Sequence, residues 1–178
     1  MISTILLIAL VTVSAVTDLV WHKIYNAVTY PGIVLAFLLA AFGPEFGSAV
    51  DLEECLKGFG ACGGLMLVAF LFFNVGGGDV KLLAMQGAFL GVEKGLEALL
   101  WTFVLGGAAA LGIVVWNVGA WKLLTGVARH VFWSLRLGRF QPLSESDRKT
   151  LEPQLYLAAA AVPAVIIVCF DLERFLGF

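Results

Sequence analysis

Charged residues are scarce in this chain. They make up 13% of its 178 residues, about half the share usual in a soluble domain. Hydrophobic residues make up 61%, so there is too little polar surface to cover a water-soluble globule. A soluble enzyme, a disordered chain and a nucleic-acid binder are all disfavoured, and a polytopic membrane protein remains. Cysteine is scarce too. Cys55, Cys62 and Cys169 form no C-x-x-C pair, and their odd number gives no disulfide framework. They read as small apolar fillers. His22 and His130 lie far apart without companions at ligand spacing, so neither a metal site nor a cofactor is expected. No Lys or Arg precedes the first apolar run, so the basic start of a cleavable signal peptide is missing. That run reads as a retained first transmembrane helix.

What is present is a series of long apolar runs. Ile2–Thr17, Ala27–Phe42, Gly58–Phe73, Leu96–Val118 and Leu155–Phe170 are clear candidates for membrane spans. A sixth run, Val80–Leu90, is short and as a helix covers only about 16 Å. The charges favour its crossing. With six spans and both termini outside, Lys23, Lys81, Lys122, Arg129, Arg136, Arg139, Arg148 and Lys149 fall inside. Only Lys57, Lys94 and Arg174 fall outside. That distribution obeys the positive-inside rule. The expected fold is therefore an all-α membrane helix bundle of six transmembrane helices with a short fourth, forming a single domain over residues 1–178. Gly60 with Gly64, Gly87 with Gly91, and the Gly106, Ala110 and Gly112 face predict close helix packing. Residues 119–153 are expected to be a basic cytoplasmic segment between the fifth and sixth helices. Its first half, Trp121–Leu135, reads as an interfacial helix on anionic headgroups.

Two carboxylates stand in unusual places. Asp18 closes the first apolar run, and Asp79 opens the short one, directly after Gly76-Gly77-Gly78. On the six-span topology both lie at cytoplasmic helix ends. A charge at membrane depth costs at least about 2.5–3.5 kcal/mol near a helix centre. The cost is lower at the interface, but such a carboxylate still calls for a role. Glycines supply a backbone that can bend there, where protein or water satisfies it. If the two acids meet, they cannot both ionise cheaply. A pair sharing one proton can hold a water, deprotonate it and protonate a leaving group.

The residues around them carry a resemblance. Asp18-Leu19-Val20-Trp21-His22-Lys23-Ile24-Tyr25-Asn26 resembles the first aspartate motif of the type IV prepilin peptidases. Gly76-Gly77-Gly78-Asp79-Val80-Lys81-Leu82-Leu83 resembles their second, G-x-G-D-x-K-L-L, whose G-x-G-D element is shared with other intramembrane aspartic proteases. The resemblance covers the chain from Ile2 to Phe170. Tyr25 departs from it, standing where the family usually has Pro. The paired C-x-x-C region of the larger, methylating members has no counterpart here. The chain thus resembles the short, peptidase-only branch of tight-adherence (Flp-type) systems.

The resemblance implies that Asp18 and Asp79 are the catalytic pair of an aspartic endopeptidase. Gly76 and Gly78 would shape the loop presenting Asp79. Lys81, Lys23 and Asn26 would be supporting motif residues, although Lys81 could simply snorkel, Lys23 could serve the charge rule and Asn26 could cap the second helix. The implied partners are a prepilin or pseudopilin and the lipid bilayer, with no nucleic acid. The implied place is the bacterial inner membrane, with the site at the cytoplasmic face, where a short basic leader is cut from a hydrophobic helix. Glu145, Asp147 and Glu152 are candidates for holding that leader by location alone. The sequence leaves the oligomeric state open. The alternatives are a proton-coupled small transporter and a non-catalytic membrane subunit of a secretion machine.

Overall fold

The computed structural model describes residues 2–43, 50–73, 75–118 and 157–171. Every regular element among them is helical: α1 (Ile2–Trp21), α2 (Asn26–Phe42), α3 (Leu52–Phe72), α4 (Gly77–Val118) and α5 (Leu157–Cys169). Residues 1–106 and 156–178 form one compact unit and residues 107–155 another. The site described below lies in the first. The basic segment expected at 119–153, with Glu145, Asp147 and Glu152, falls outside the described residues.

Among the described residues, three helices are long and apolar enough to cross a membrane: α1, α3, and α4 as far as Trp116. The apolar helices α2 and α5 are shorter. The side-chain distribution fits lipid as the solvent. In α1, Ser3, Leu7, Val11 and Ser14 are buried at helical spacing, while Ile2, Ile5, Val13 and Val16 are exposed. In α3, Leu65, Leu67, Val68 and Leu71 are likewise exposed. Rows of large apolar side chains left uncovered on helix after helix mark a membrane-facing surface. The core is small and dense. Leu7 and Val11 of α1, Met66 of α3, and Leu82 and Met85 of α4 are fully buried. Helix α1 packs chiefly on α5 and also on α2, which in turn meets α3.

Helix α4 is broken once. Gly91 has φ 78° and ψ −170°, a conformation that glycine adopts at no steric cost. The chain turns back there, because a Cβ on Gly95 would stand 3.0 Å from the Gly87 Cα. Along a straight helix those two residues would be about 12 Å apart. The expected short segment Val80–Leu90 is thus the first arm of α4, residues 77–90, and residues 92–118 are its return. Glu54 supports the turn: its Oε2 accepts from the Val92 N–H at 3.5 Å, satisfying one of the donors a helix start leaves open. Asp51 does the same for α3, accepting from the Glu54 N–H at 2.9 Å.

Glycine packing differs in part from expectation. Gly60 and Gly64 meet nothing: a Cβ on either would have open space around it. The glycines that let α3 approach α4 are Gly58, where a Cβ would overlap the Gly87 carbonyl, and Gly63, where it would stand 3.1 Å from the Ala84 Cβ. The G-x-x-x-G pattern in α3 had the right helix but the wrong face. Gly87 and Gly91 do pack as expected, against Gly58 and Cys62 and against Val50 and Glu54.

Candidate active site at the Asp18 and Asp79 turns

Asp18 does not end the first helix. α1 continues to Trp21, so Asp18 occupies its last turn, half-buried. The helix stops at His22, whose φ of 53° is left-handed. Its N–H donates to the Asp18 carbonyl at 2.8 Å, closing the end as an αL cap does. Lys23, Ile24 and Tyr25 are non-helical, and α2 starts at Asn26. Asn26 is therefore not the cap of α2. That position belongs to Tyr25, whose side chain makes no capping bond. Tyr25 has φ −78° and ψ 131°, close to the conformation proline imposes. The turn keeps the shape a proline would give it although the proline is absent.

Asp79 sits in the first turn of α4, half-buried. Its N–H donates to the Gly76 carbonyl at 3.1 Å. Two of the three preceding glycines have a steric reason to be glycine. A Cβ on Gly76 would stand 3.0 Å from Asp79 Oδ2, so the bare residue leaves the carboxylate its space. A Cβ on Gly78 would stand 2.9 Å from the Ile24 Cβ. The Asp79 turn therefore lies directly on the turn that follows Asp18. Gly77 makes only an ordinary contact, its Cβ position lying 3.9 Å from Phe70.

This approach brings the two motifs together. The Asp79 turn and the turn that follows Asp18 are neighbours through the Gly78–Ile24 contact. Lys81 makes its contacts with α2. Its Nζ donates to Asn26 Oδ1 at 2.8 Å and lies 4.8 Å from the centre of the Tyr30 ring. Lys23 is exposed in the connecting turn and takes no part in that contact. Tyr30, Ile24 and His22 were missed as site residues in the sequence. Tyr30 was legible, since it follows Asn26 by four positions and shares its face. Ile24 was not, because its role is to receive a glycine about fifty residues away.

Chemically, two carboxylates on neighbouring turns can act as acid and base on a single water. Among the described residues no group of three or more His, Cys, Asp or Glu could hold a metal ion.

Comparison with protein families gives a match to the type IV leader peptidase family over residues 5–111. That stretch includes most of α1, all of α2 and α3, and most of α4, with both aspartate turns. Searches of curated proteins and of solved structures gave no match. Because the family match spans more than half of the 178 residues, the chain belongs to the type IV leader peptidase family and is a peptidase of that kind.

Proposed function

We propose that the chain is an aspartic prepilin peptidase that removes the basic leader of a prepilin or pseudopilin at the cytoplasmic face of the bacterial inner membrane. Asp18 and Asp79 are the catalytic pair. The observation that carries this reading is the close contact of Gly78 with Ile24, which lays the Asp79 turn on the turn that follows Asp18. One carboxylate takes a proton from the attacking water while its oxygen adds to the scissile carbonyl carbon. The protonated partner then gives its proton to the leaving nitrogen as the carbon–nitrogen bond breaks. Gly76 and Gly78 shape the Asp79 turn, Lys81 and Asn26 hold it to the start of α2, and Lys23 adds positive charge at the inner surface.

The bundle crosses the membrane six times, counting the two arms of α4 separately, as one domain. This topology places both aspartates on the basic side. The short first arm of α4 fits a site recessed below the lipid surface. Without a paired C-x-x-C region the chain cleaves and does not methylate, as in the short tight-adherence branch.

The test is co-expression with a prepilin carrying a basic leader, followed by mass measurement of the pilin. The wild-type chain should yield the mature form without added methyl. Asp18→Asn and Asp79→Asn should each lower cleavage by about 10²–10⁴-fold while accumulating in the membrane. Cleavage by both variants at the wild-type rate defeats the assignment. Loss of both variants from the membrane points to a structural role instead.

A further inference from the structure

The lipid-facing surface of α1 ends sharply. Leu19, Val20 and Trp21 are large apolar residues left exposed, and the next two, His22 and Lys23, are exposed and polar. An uncovered apolar side chain belongs in hydrocarbon and an uncovered cation outside it. The hydrocarbon boundary therefore falls at Trp21. Helix length agrees: the 20 residues of α1 span about 30 Å, the thickness of the hydrocarbon core.

Aromatic rings gather at that level. Trp21 meets Tyr25 edge-on, with 6.2 Å between ring centres, yet Trp21 remains 57% exposed. Tyr30 is 51% exposed in the second turn of α2, and its side chain leans back toward the start of that helix. Packing within the bundle leaves both rings uncovered. Tryptophan and tyrosine open at a helix end suit the headgroup layer, with the ring body in the acyl chains and the N–H or O–H in the wet zone. A cation is held at the same place. The Lys81 stem runs from α4 to the first residue of α2, where Nζ donates to Asn26 Oδ1 at 2.8 Å and lies 4.8 Å from the Tyr30 ring centre. An ammonium has three donors, so Asn26 leaves donors over for a phosphate oxygen.

We propose that Trp21, Tyr30 and Lys81 form a lipid-headgroup contact, with the rings between phosphates and acyl chains and the ammonium on a phosphate, and that this contact sets how deep the α1–α2 turn sits in the membrane. The depth of Asp18 follows. It precedes Trp21 by three residues, about 4.5 Å along the axis toward the bilayer centre, so it lies inside the hydrocarbon boundary. What this depth means for catalysis rests on the peptidase reading, but the lipid contact does not.

The experiment uses the full chain in vesicles of phosphatidylcholine with phosphatidylglycerol. Trp101, Trp116, Trp121 and Trp133 are replaced by Phe, so that Trp21 alone fluoresces. Its emission should lie to the blue of indole in water. It should lose more intensity to lipids brominated near the headgroup end of the acyl chain than to lipids brominated near the chain tip or to aqueous iodide. Where the four-fold variant does not accumulate, the difference between the wild type and Trp21→Phe gives the same reading. Stronger quenching by the chain-tip bromines, or by iodide alone, overturns the placement. Iodide alone would mean that the ring awaits a protein partner in water. The second measurement is dephasing of lysine Nζ nitrogen-15 signals by lipid phosphorus in solid-state NMR. The signal that is missing from Lys81→Met should be dephased in the wild-type chain. A Lys81 signal untouched by phosphorus overturns the phosphate contact. Neither readout needs cleavage, so a chain that cuts no prepilin loses the peptidase reading and leaves this one to be decided on its own.

Discussion

Lys81 donates to Asn26 across fifty-five residues of sequence, at 2.8 Å, from the second turn of α4 to the first residue of α2. The two aspartates flank this bond on their own elements. Asp79 lies two residues before Lys81, and Asp18 lies just across the turn that Asn26 ends. The bond thus ties the start of α2, just after the Asp18 turn, to the helix that carries Asp79.

Its contribution is measurable. Hydrogen bonds with a charged partner contribute about 1.5–3 kcal/mol when shielded. This one is solvent-exposed, so about 1 kcal/mol is the better expectation. Lys81→Met and Asn26→Leu should each reduce cleavage, and the double variant should lose no more than the worse single. A double-mutant cycle on cleavage rate checks this. Strictly additive losses would show that the two residues act separately.

Gly78→Ala should be far more damaging than Gly77→Ala. The added methyl at 78 meets the Ile24 Cβ at 2.9 Å, whereas at 77 it has ordinary space. Displacing the Asp79 turn by even 1 Å from Asp18 can cost about 10²-fold in rate. Gly77→Ala should leave cleavage within about twofold, since alanine also favours a helix start over glycine. Ile24→Gly, which removes the opposing Cβ, should restore part of the activity of Gly78→Ala. Equal effects of the two alanine variants would detach the glycine contact from catalysis.

Much of this was legible in the sequence, and the rest was hidden for identifiable reasons. The membrane class followed from composition, and the two aspartates followed from motif spacing. The short segment before Gly91 followed from its length. Asp18 was placed at the helix end because the apolar run stops at Thr17, yet backbone hydrogen bonding carries α1 one turn further, to Trp21. A run of hydrophobicity reports where lipid ends, not where a helix does. The α3 packing face was missed because Gly58 lies outside the more obvious Gly60 and Gly64 pair. Spacing alone cannot tell which side of a helix has a neighbour. The pairing of Gly78 with Ile24 is purely tertiary, and no local pattern encodes it.

Tyr25→Pro should be tolerated. The native φ of −78° is one proline adopts freely, and position 25 precedes the helix, so no intrahelical bond is lost. Ile24, the residue before it, is already outside the helix. Such a substitution commonly adds about 0.4–1 kcal/mol by restricting the unfolded chain. Part of that gain would be offset by loss of the edge-on Trp21–Tyr25 ring contact, 6.2 Å between centres. Cleavage should stay near wild type and thermal stability should hold or rise. A large loss of activity would mean that the phenol ring, not the turn, is what the site needs.

Cleavage should depend on pH in a bell shape. Two neighbouring carboxylates catalyse as acid and base only when they hold one proton between them. At low pH both are protonated and no base remains to take the proton of water. At high pH both are ionised and no acid remains for the leaving nitrogen. Rates of detergent-purified enzyme on a prepilin peptide, measured across both limbs and checked for reversible recovery, test this. A rate that stays level across both limbs would exclude a coupled pair.

The contact of α3 with the first arm of α4 gives a separate test of the fold beneath the site. A Cβ on Gly58 would overlap the Gly87 carbonyl and come within 2.6 Å of the Gly91 backbone, neither of which can rotate away. Gly58→Ala should therefore push α3 off the arm and destabilise the bundle by about 1–3 kcal/mol, the usual cost of overpacking. Gly60→Ala and Gly64→Ala should be neutral or slightly stabilising, because each position opens onto free space and alanine is the better helix former. Unfolding of the three variants in mild detergent, followed by circular dichroism, separates these outcomes. If Gly60→Ala or Gly64→Ala proves the most damaging, then that face of α3 is covered by another helix in the membrane, and the glycine pair packs there after all.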